Sequence, residues 1–173
     1  MAFSLYDATV ANYLQTLGAV THFLDKSLHH FKEKGVDLNE IVETRLFPDM
    51  LPFRFQVISV VHHSRGALEG VKKGVFSPPT MHGQDYAALQ AMVKEATEVV
   101  AKETPESINA LEGRHMEFHI ADRKVPYTAE NFLLSFSMPN FYFHSTTTYD
   151  ILRMKGVPLG KRDFMGKMRI KTA

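Results

Sequence analysis

Histidine is the residue type with the most chemical potential in this chain. Nine occur among 173 residues, and cysteine is absent. Without cysteine there is no disulfide framework, no thiolate metal site and no cysteine nucleophile. A zinc-type catalytic centre takes three protein ligands and keeps one position open. The helical way to supply two of them is a histidine pair four residues apart. Position 148, four after His144, is a threonine. His144 shares its helix face with Ser137, Asn140, Phe141, Thr148, Ile151 and Leu152. That mix of apolar, hydroxyl and amide groups is of the kind that builds a pocket inside a helical bundle. His144, Asn140 and Thr148 are polar groups on a face that is expected to be buried, so each needs a partner.

His62 and His63 are chain neighbours, and neighbours on a helix point about 100° apart, so a single ligand position does not use both equally. His63 shares a flank with Gln56, Val60, Ala67 and Gly70, a ridge of mostly small residues, and His62 shares one with Leu51, Phe55 and Ile58. Either of the two is placed to border a bundle interior. His115, Glu117 and His119 alternate with Met116, Phe118 and Ile120. They project from one face of a strand, a spacing open to metal ligation, but a hairpin with one wet side accounts for the whole pattern. His22, His29 and His30 lie off the apolar stripe of the first helix, where Asp25 is spaced to pair with His29.

The elements that must position these groups are mostly helices. Tyr6, Val10, Tyr13, Leu17, Val20, Leu24, Leu28 and Phe31 step by three or four residues, which predicts one helix of about thirty residues. Ser4 caps it and Gly35 stops it. A short helix follows, with Asp37 and Glu40 in a capping-box arrangement. A second long helix runs from near Pro52 to Gly74, and Phe76 begins a loop. A third carries Tyr86, Leu89, Val93, Ala96 and Val100, and is broken or kinked by Pro105. The alternation from His115 to Ile120 predicts a strand, with Val125 to Tyr127 returning as its partner. A fourth helix runs from about Thr128 to Lys155 and contains Pro139, whose ring clashes with the Ser135 carbonyl, so a kink is expected. The tail after Gly156 reads as irregular. No repeat or linker divides the chain, so residues 1–173 read as a single domain, with the basic tail at 156–173.

Apolar residues make up 45% and charged residues 23%, which excludes a disordered chain and a coiled-coil rod. Apolar runs are too short for a membrane span, and the N-terminus has no basic segment of the signal-peptide kind. A cytoplasmic protein with no membrane partner is the expectation. The net charge of +1 is unevenly spread. From Arg153 onward there are seven basic residues and only Asp163 as acid, while the preceding 152 residues carry an acidic excess. Such a tail folds back on its own surface, grips a partner subunit or meets phosphates. No basic stripe or RNA-type aromatic motif occurs elsewhere, so nucleic acid is not the expected partner.

The stretch from Met138-Pro-Asn-Phe-Tyr-Phe-His to Pro158-Leu-Gly-Lys-Arg-Asp-Phe, with Arg45-Leu-Phe-Pro-Asp-Met and Gln56-Val57, strongly resembles an uncharacterised family of the DinB-like superfamily. With the helix order, the resemblance covers nearly the whole chain. It implies an all-α fold, an up-down-down-up four-helix bundle with a small β-hairpin between helices three and four, commonly a homodimer. The superfamily typically holds a divalent metal, such as zinc, nickel or iron, by one histidine of the second helix and two of the fourth. Carried onto this sequence, His62 or His63 matches the first ligand and His144 one of the pair. Thr148 stands where the other would be, so the metal set His63, His144 and His62 is incomplete. Asn140, Thr148 and Gln56 are the candidate ligand-binding residues. The expected function is a small-ligand-binding or dimerising module with a degenerate metal pocket. The alternative is a divalent-metal-dependent hydrolase or thiol-dependent transferase, in which metal-bound water is the nucleophile.

Overall fold

Helices make up most of the chain, joined by one small three-stranded sheet. The structure, a computed structural model, describes residues 3–171. Met1 and Ala2 at the N-terminus, and Thr172 and Ala173 of the basic tail, lie outside the described residues. Ser4 opens α1 (Leu5–Ala8) through a reciprocal capping box with Asp7. The single long helix expected here is interrupted at Thr9, which is fully buried and donates its hydroxyl to the Leu5 carbonyl at 2.6 Å. That local bond competes with helical geometry, and α2 (Val10–Lys34) starts behind it. Gly35, at φ 65°, stops α2 in the left-handed region. Asp37 caps α3 (Leu38–Glu43) by accepting from the Asn39 N–H at 2.9 Å, one residue earlier than a capping box uses.

The second predicted helix is three segments: α4 (Phe53–Val61), a π-helical turn at His62–Gly66, and α5 (Ala67–Lys73). Val75 and Phe76, the latter read from sequence as the start of a loop, instead form β1 (Val75–Phe76). It pairs parallel to β2 (His115–Ile120), Val75 opposite Glu117. Two residues are too few for a period to register. Between them come α6 (Tyr86–Val100), capped by Asp85, and α7 (Pro105–Asn109). Pro105 starts α7 rather than kinking a longer helix, because a first-turn proline loses no bond. β3 (Arg123–Thr128) returns antiparallel to β2, longer than the sequence indicates. Thr128 then caps α8 (Ala129–Asn131), a second π-helical turn spans Phe132–Ser137, and α9 (Met138–Met154) follows. The tail is not wholly irregular, since it includes α10 (Lys161–Met165), which lies on α2.

α4 packs against α6 on one side and α9 on the other, and α2 packs on α6 and α9. Tyr86 ties three of these together. Its ring stacks on Phe53 at 5.9 Å, and its hydroxyl donates to the Leu24 carbonyl at 3.0 Å. The buried apolar residues form one contiguous core. No helix among the described residues is long and apolar enough to cross a membrane.

Two glycines respond oppositely to alanine. Gly35→Ala is expected to lower stability by about 1 kcal/mol, the cost of a left-handed β-carbon. Gly18→Ala, within α2 with nothing within 4 Å of an added β-carbon, is expected to raise it by about 0.5–1 kcal/mol. Urea denaturation of both variants checks the pair.

Candidate functional site

The two π-helical turns meet where α4 runs into α5 and α8 into α9. Ser137 Oγ donates to the His63 carbonyl at 2.9 Å and lies 3.4 Å from His63 Nδ1. Such turns are rare and recur at functional sites. On the α4 side, Ser64 Oγ donates to the Val60 carbonyl at 2.7 Å, inside the preceding turn. On the other side, Pro139 offers no N–H to the Ser135 carbonyl. The irregularity expected there as a kink is the wide turn just before the proline. Asn140 secures it, donating its amide to the Phe136 carbonyl at 2.7 Å.

His63 and His144 come together across this junction, ring centroids 5.9 Å apart and planes 13° from parallel. Both are buried, at 7% and 9% exposure. Gln56 Nε2 donates to the Leu51 carbonyl at 2.8 Å, so Gln56 Oε1 faces His144 Nδ1, also at 2.8 Å. An amide oxygen only accepts, which assigns the His144 proton to Nδ1 and leaves Nε2 as a free acceptor. Ser137 spends its one hydrogen on the His63 carbonyl, so a proton on His63 Nδ1 suits the longer contact. Phe55 and Phe143 stand edge-on to the His144 ring, at 5.7 and 5.2 Å. Phe76 and Phe136 flank His63, at 5.5 and 5.7 Å. Burial pushes the His63 pKa down to about 3, with His62 and His144 adding repulsion, and pushes His144 down to about 4. Both rings are therefore neutral at physiological pH.

His62 lies beside this pair, its ring centroid 5.5 Å from that of His63, but its hydrogen bond runs elsewhere. Its Nε2–H donates to the Ser77 carbonyl at 2.7 Å and its ring stacks on Phe76 at 4.2 Å. Burial lowers its pKa and the Ser77 contact opposes that. It lines a cleft of about 400 Å³ with Arg65, Glu69, His82 and Gln84. Thr148 does not face His144 with its hydroxyl hydrogen, which it donates to the His144 carbonyl of its own helix at 2.8 Å. The structure thus unites His63, His144 and Gln56, sets Asn140 and Thr148 on the α9 backbone, and commits His62 Nε2 to Ser77 although the His62 ring stays 5.5 Å from that of His63. Among the described residues, no three histidine, cysteine, aspartate or glutamate side chains form a set able to hold a metal. Two imidazoles are present where a catalytic zinc takes three ligands, so the residues here do not complete such a centre.

Ser137 shared the His144 face in the sequence, but its bond to His63 had no local signal. The Phe76 wall had none either, because it depends on β1 pairing with β2. Elsewhere, His119 and His115 both approach Glu117, at 2.7 and 3.7 Å, on the wetter face of the hairpin. His29 pairs with Glu33, while Asp25 accepts from Gln90. Arg45 donates to the Met50 carbonyl of its own loop.

Residues 5–165 match a domain of unknown function, DUF1993. The chain belongs to that family. Its fold is also that of a solved DinB family member protein from Shewanella denitrificans, with a TM-score of 0.78 at 23% identity. The likeness covers 98% of this chain and 96% of that one. No curated protein matches the sequence. The DUF1993 match takes in both π turns and the whole histidine junction.

The neutral pair makes DUF1993 stability depend on acid. Both folded-state pKa values lie below the ordinary histidine value of 6.5. Between them, the unfolded chain binds more protons than the folded one, so stability falls as pH drops from about 6.5 toward 4. Denaturant titrations across that range are expected to show a declining midpoint. In a His63→Leu/His144→Leu variant the decline is expected to be shallower.

Proposed function

We propose that this DUF1993 protein is a small-ligand-binding module, built on the up-down-down-up four-helix bundle of its DinB-like relatives as a single domain. The observation that carries the reading is the His63–His144 pair: two neutral imidazoles, one with its Nε2 lone pair free, walled by Phe55, Phe76, Phe136 and Phe143. Uncharged acceptors among aromatic rings suit an organic ligand that presents N–H or O–H donors and an apolar body. Gln56 orients the His144 acceptor, and Ser137 links the two helices that carry the pair. Asn140 and Thr148 support the backbone beneath it.

A second reading is a divalent-metal-dependent DinB-like enzyme, and it is favoured by the approach of His63 and His144 from facing helices. The third ligand would then come from water or an outside carboxylate. Elemental analysis of tag-free protein separates the two. The module reading expects no stoichiometric zinc, nickel or iron, and no change in His144→Ala. Near-stoichiometric metal lost in that variant would overturn it. Histidine nitrogen NMR of the metal-free protein is expected to show His144 protonated on Nδ1 and neutral at pH 5.

A homodimer in the cytoplasm completes the proposal. Its support is the exposed apolar side of α9 and the loop beside it, where Phe143 and Phe47 are 56% and 64% exposed. Large exposed aromatics of this kind mark interaction surfaces. Sedimentation is expected to show a dimer that Phe47→Glu dissociates while the far-UV spectrum stays unchanged.

A further inference from the structure

The stretch that carried the family resemblance runs from Met138 to Phe164, and the histidine junction makes no use of its last part, from Gly156 to Phe164. Its place in the fold is a strap across the outer face of α2. Gln15 Nε2 donates to the Met165 carbonyl at 2.9 Å, and Arg169 donates to Asn12 Oδ1 at 2.6 Å. Gly166, at φ 59°, sits so close to α2 that an added β-carbon would meet Gln15 O and Ala19 Cβ at 3.1 Å. Asp163 is the electrostatic anchor. Its Oδ1 lies 3.0 Å from both Lys26 Nζ and His22 Nε2, and its Oδ2 accepts from the Gly160 N–H at 2.7 Å. Burial alone would raise its pKa, but the Gly160, Lys26 and His22 contacts outweigh that and hold it down at about 2. The only acid of the strap is therefore ionised and already neutralised.

Between strap and α2 lies an open cleft of about 590 Å³, a volume in the range of small-molecule sites. Its floor is Leu14, Gly18 and Ala19, and its walls include Arg162 and Lys167 together with the His22–Asp163 pair, whose carboxylate charge Lys26 also offsets. Among the described residues neither cation has an ion-pair partner. Gly18 adds a separate observation. A glycine inside a helix costs about 1 kcal/mol relative to alanine, and glycines are often kept there for close packing. Gly70 is such a case, since a β-carbon there would lie 3.0 Å from the Phe76 ring, but nothing lies within 4 Å at Gly18. What a side chain at Gly18 would fill is the cleft.

We propose that this cleft binds a small organic anion, a carboxylate or phosphate monoester with a short apolar stem. Arg162 and Lys167 take the anionic head, and the stem lies over Gly18 between Leu14 and Ala19. A guanidinium matches the oxygens of either head group as a two-pronged donor, and an apolar floor adds affinity that an inorganic ion cannot gain. The site is separate from the His63–His144 junction and stands or falls independently of it.

The test is calorimetric titration of the full chain at low salt with hexanoate, hexyl phosphate, hexanol and inorganic phosphate. Saturable binding of hexanoate or hexyl phosphate is expected, with hexanol and inorganic phosphate weaker by at least about tenfold. Preference between the two amphiphiles assigns the head group. Arg162→Gln/Lys167→Gln is expected to weaken binding by at least about tenfold. Gly18→Met is expected to abolish it while thermal stability is kept or raised, which separates a blocked cleft from a damaged fold. No saturable binding of either amphiphile, or binding indifferent to both variants, overturns the proposal. So does equal binding of inorganic phosphate, which would mean charge attraction alone.

Discussion

The contact between two π-helical turns governs the middle of this molecule. An α-helix that gains one residue in a turn rotates everything after it by about 100°. At His62–Gly66 the buried side chains nonetheless keep a three-to-four spacing through the turn. Val57 and Val60 before the turn, and Ala67, Leu68 and Val71 after it, are all buried. The opposite turn at Phe132–Ser137 meets it through the Ser137–His63 bond. Around the junction, Phe76, Phe118, Phe132 and Phe136 form a connected aromatic cluster with centroids 4.8–6.5 Å apart. Such ring pairs add to the area they bury, and here they fasten the small sheet to the helices. β1 has two residues, yet it places Phe76 against both His62 and His63.

Most polar groups at this junction follow the rule that buried donors and acceptors find partners, the Tyr13 and Ser59 hydroxyls being exceptions among the described residues. Gln56 links Leu51 to His144, and Ser145, Thr147 and Thr148 each donate to a carbonyl one turn back on α9. Those hydroxyls make α9 polar in composition without making it polar in effect, because their hydrogens stay within the helix. The histidines are the exception. Each is held through Nδ1 and its own backbone, and desolvation keeps it uncharged, so the chemistry left over is that of a neutral acceptor. A histidine pair in this condition does not act as a cationic acid near neutral pH.

The C-terminal strap is ordered by a different logic, that of charge and close approach at the surface. Asp163 gathers Lys26 and His22 from α2, and Gly166 lets the backbone settle on Gln15 and Ala19. The one acid of the basic tail binds basic groups of the acidic body, so the pairing anchors the strap and leaves the positive excess of the tail uncompensated. Arg162 and Lys167 remain directed at open space beside an apolar floor.

Much of this was legible in the residues. The three-to-four spacing of apolar side chains marks α2, α4 and α6, Ser4 and Thr128 mark starts, and Gly35 and Gly74 mark stops, because each of these signals is local. The alternation at His115–Ile120 marks the hairpin for the same reason. Pro139 announced an irregularity without saying that it would be a π turn. What depends on distant partners was not legible: the break at Thr9, the strand at Val75–Phe76, the wide turn at His62, and which of two adjacent histidines would meet His144. Sequence alone determined the type of the longer elements and the short list of polar groups that needed partners. Tertiary structure decided which partner each received, because a helix periodicity fixes a face but not its neighbour, and one extra residue in a turn rotates that face toward a different one.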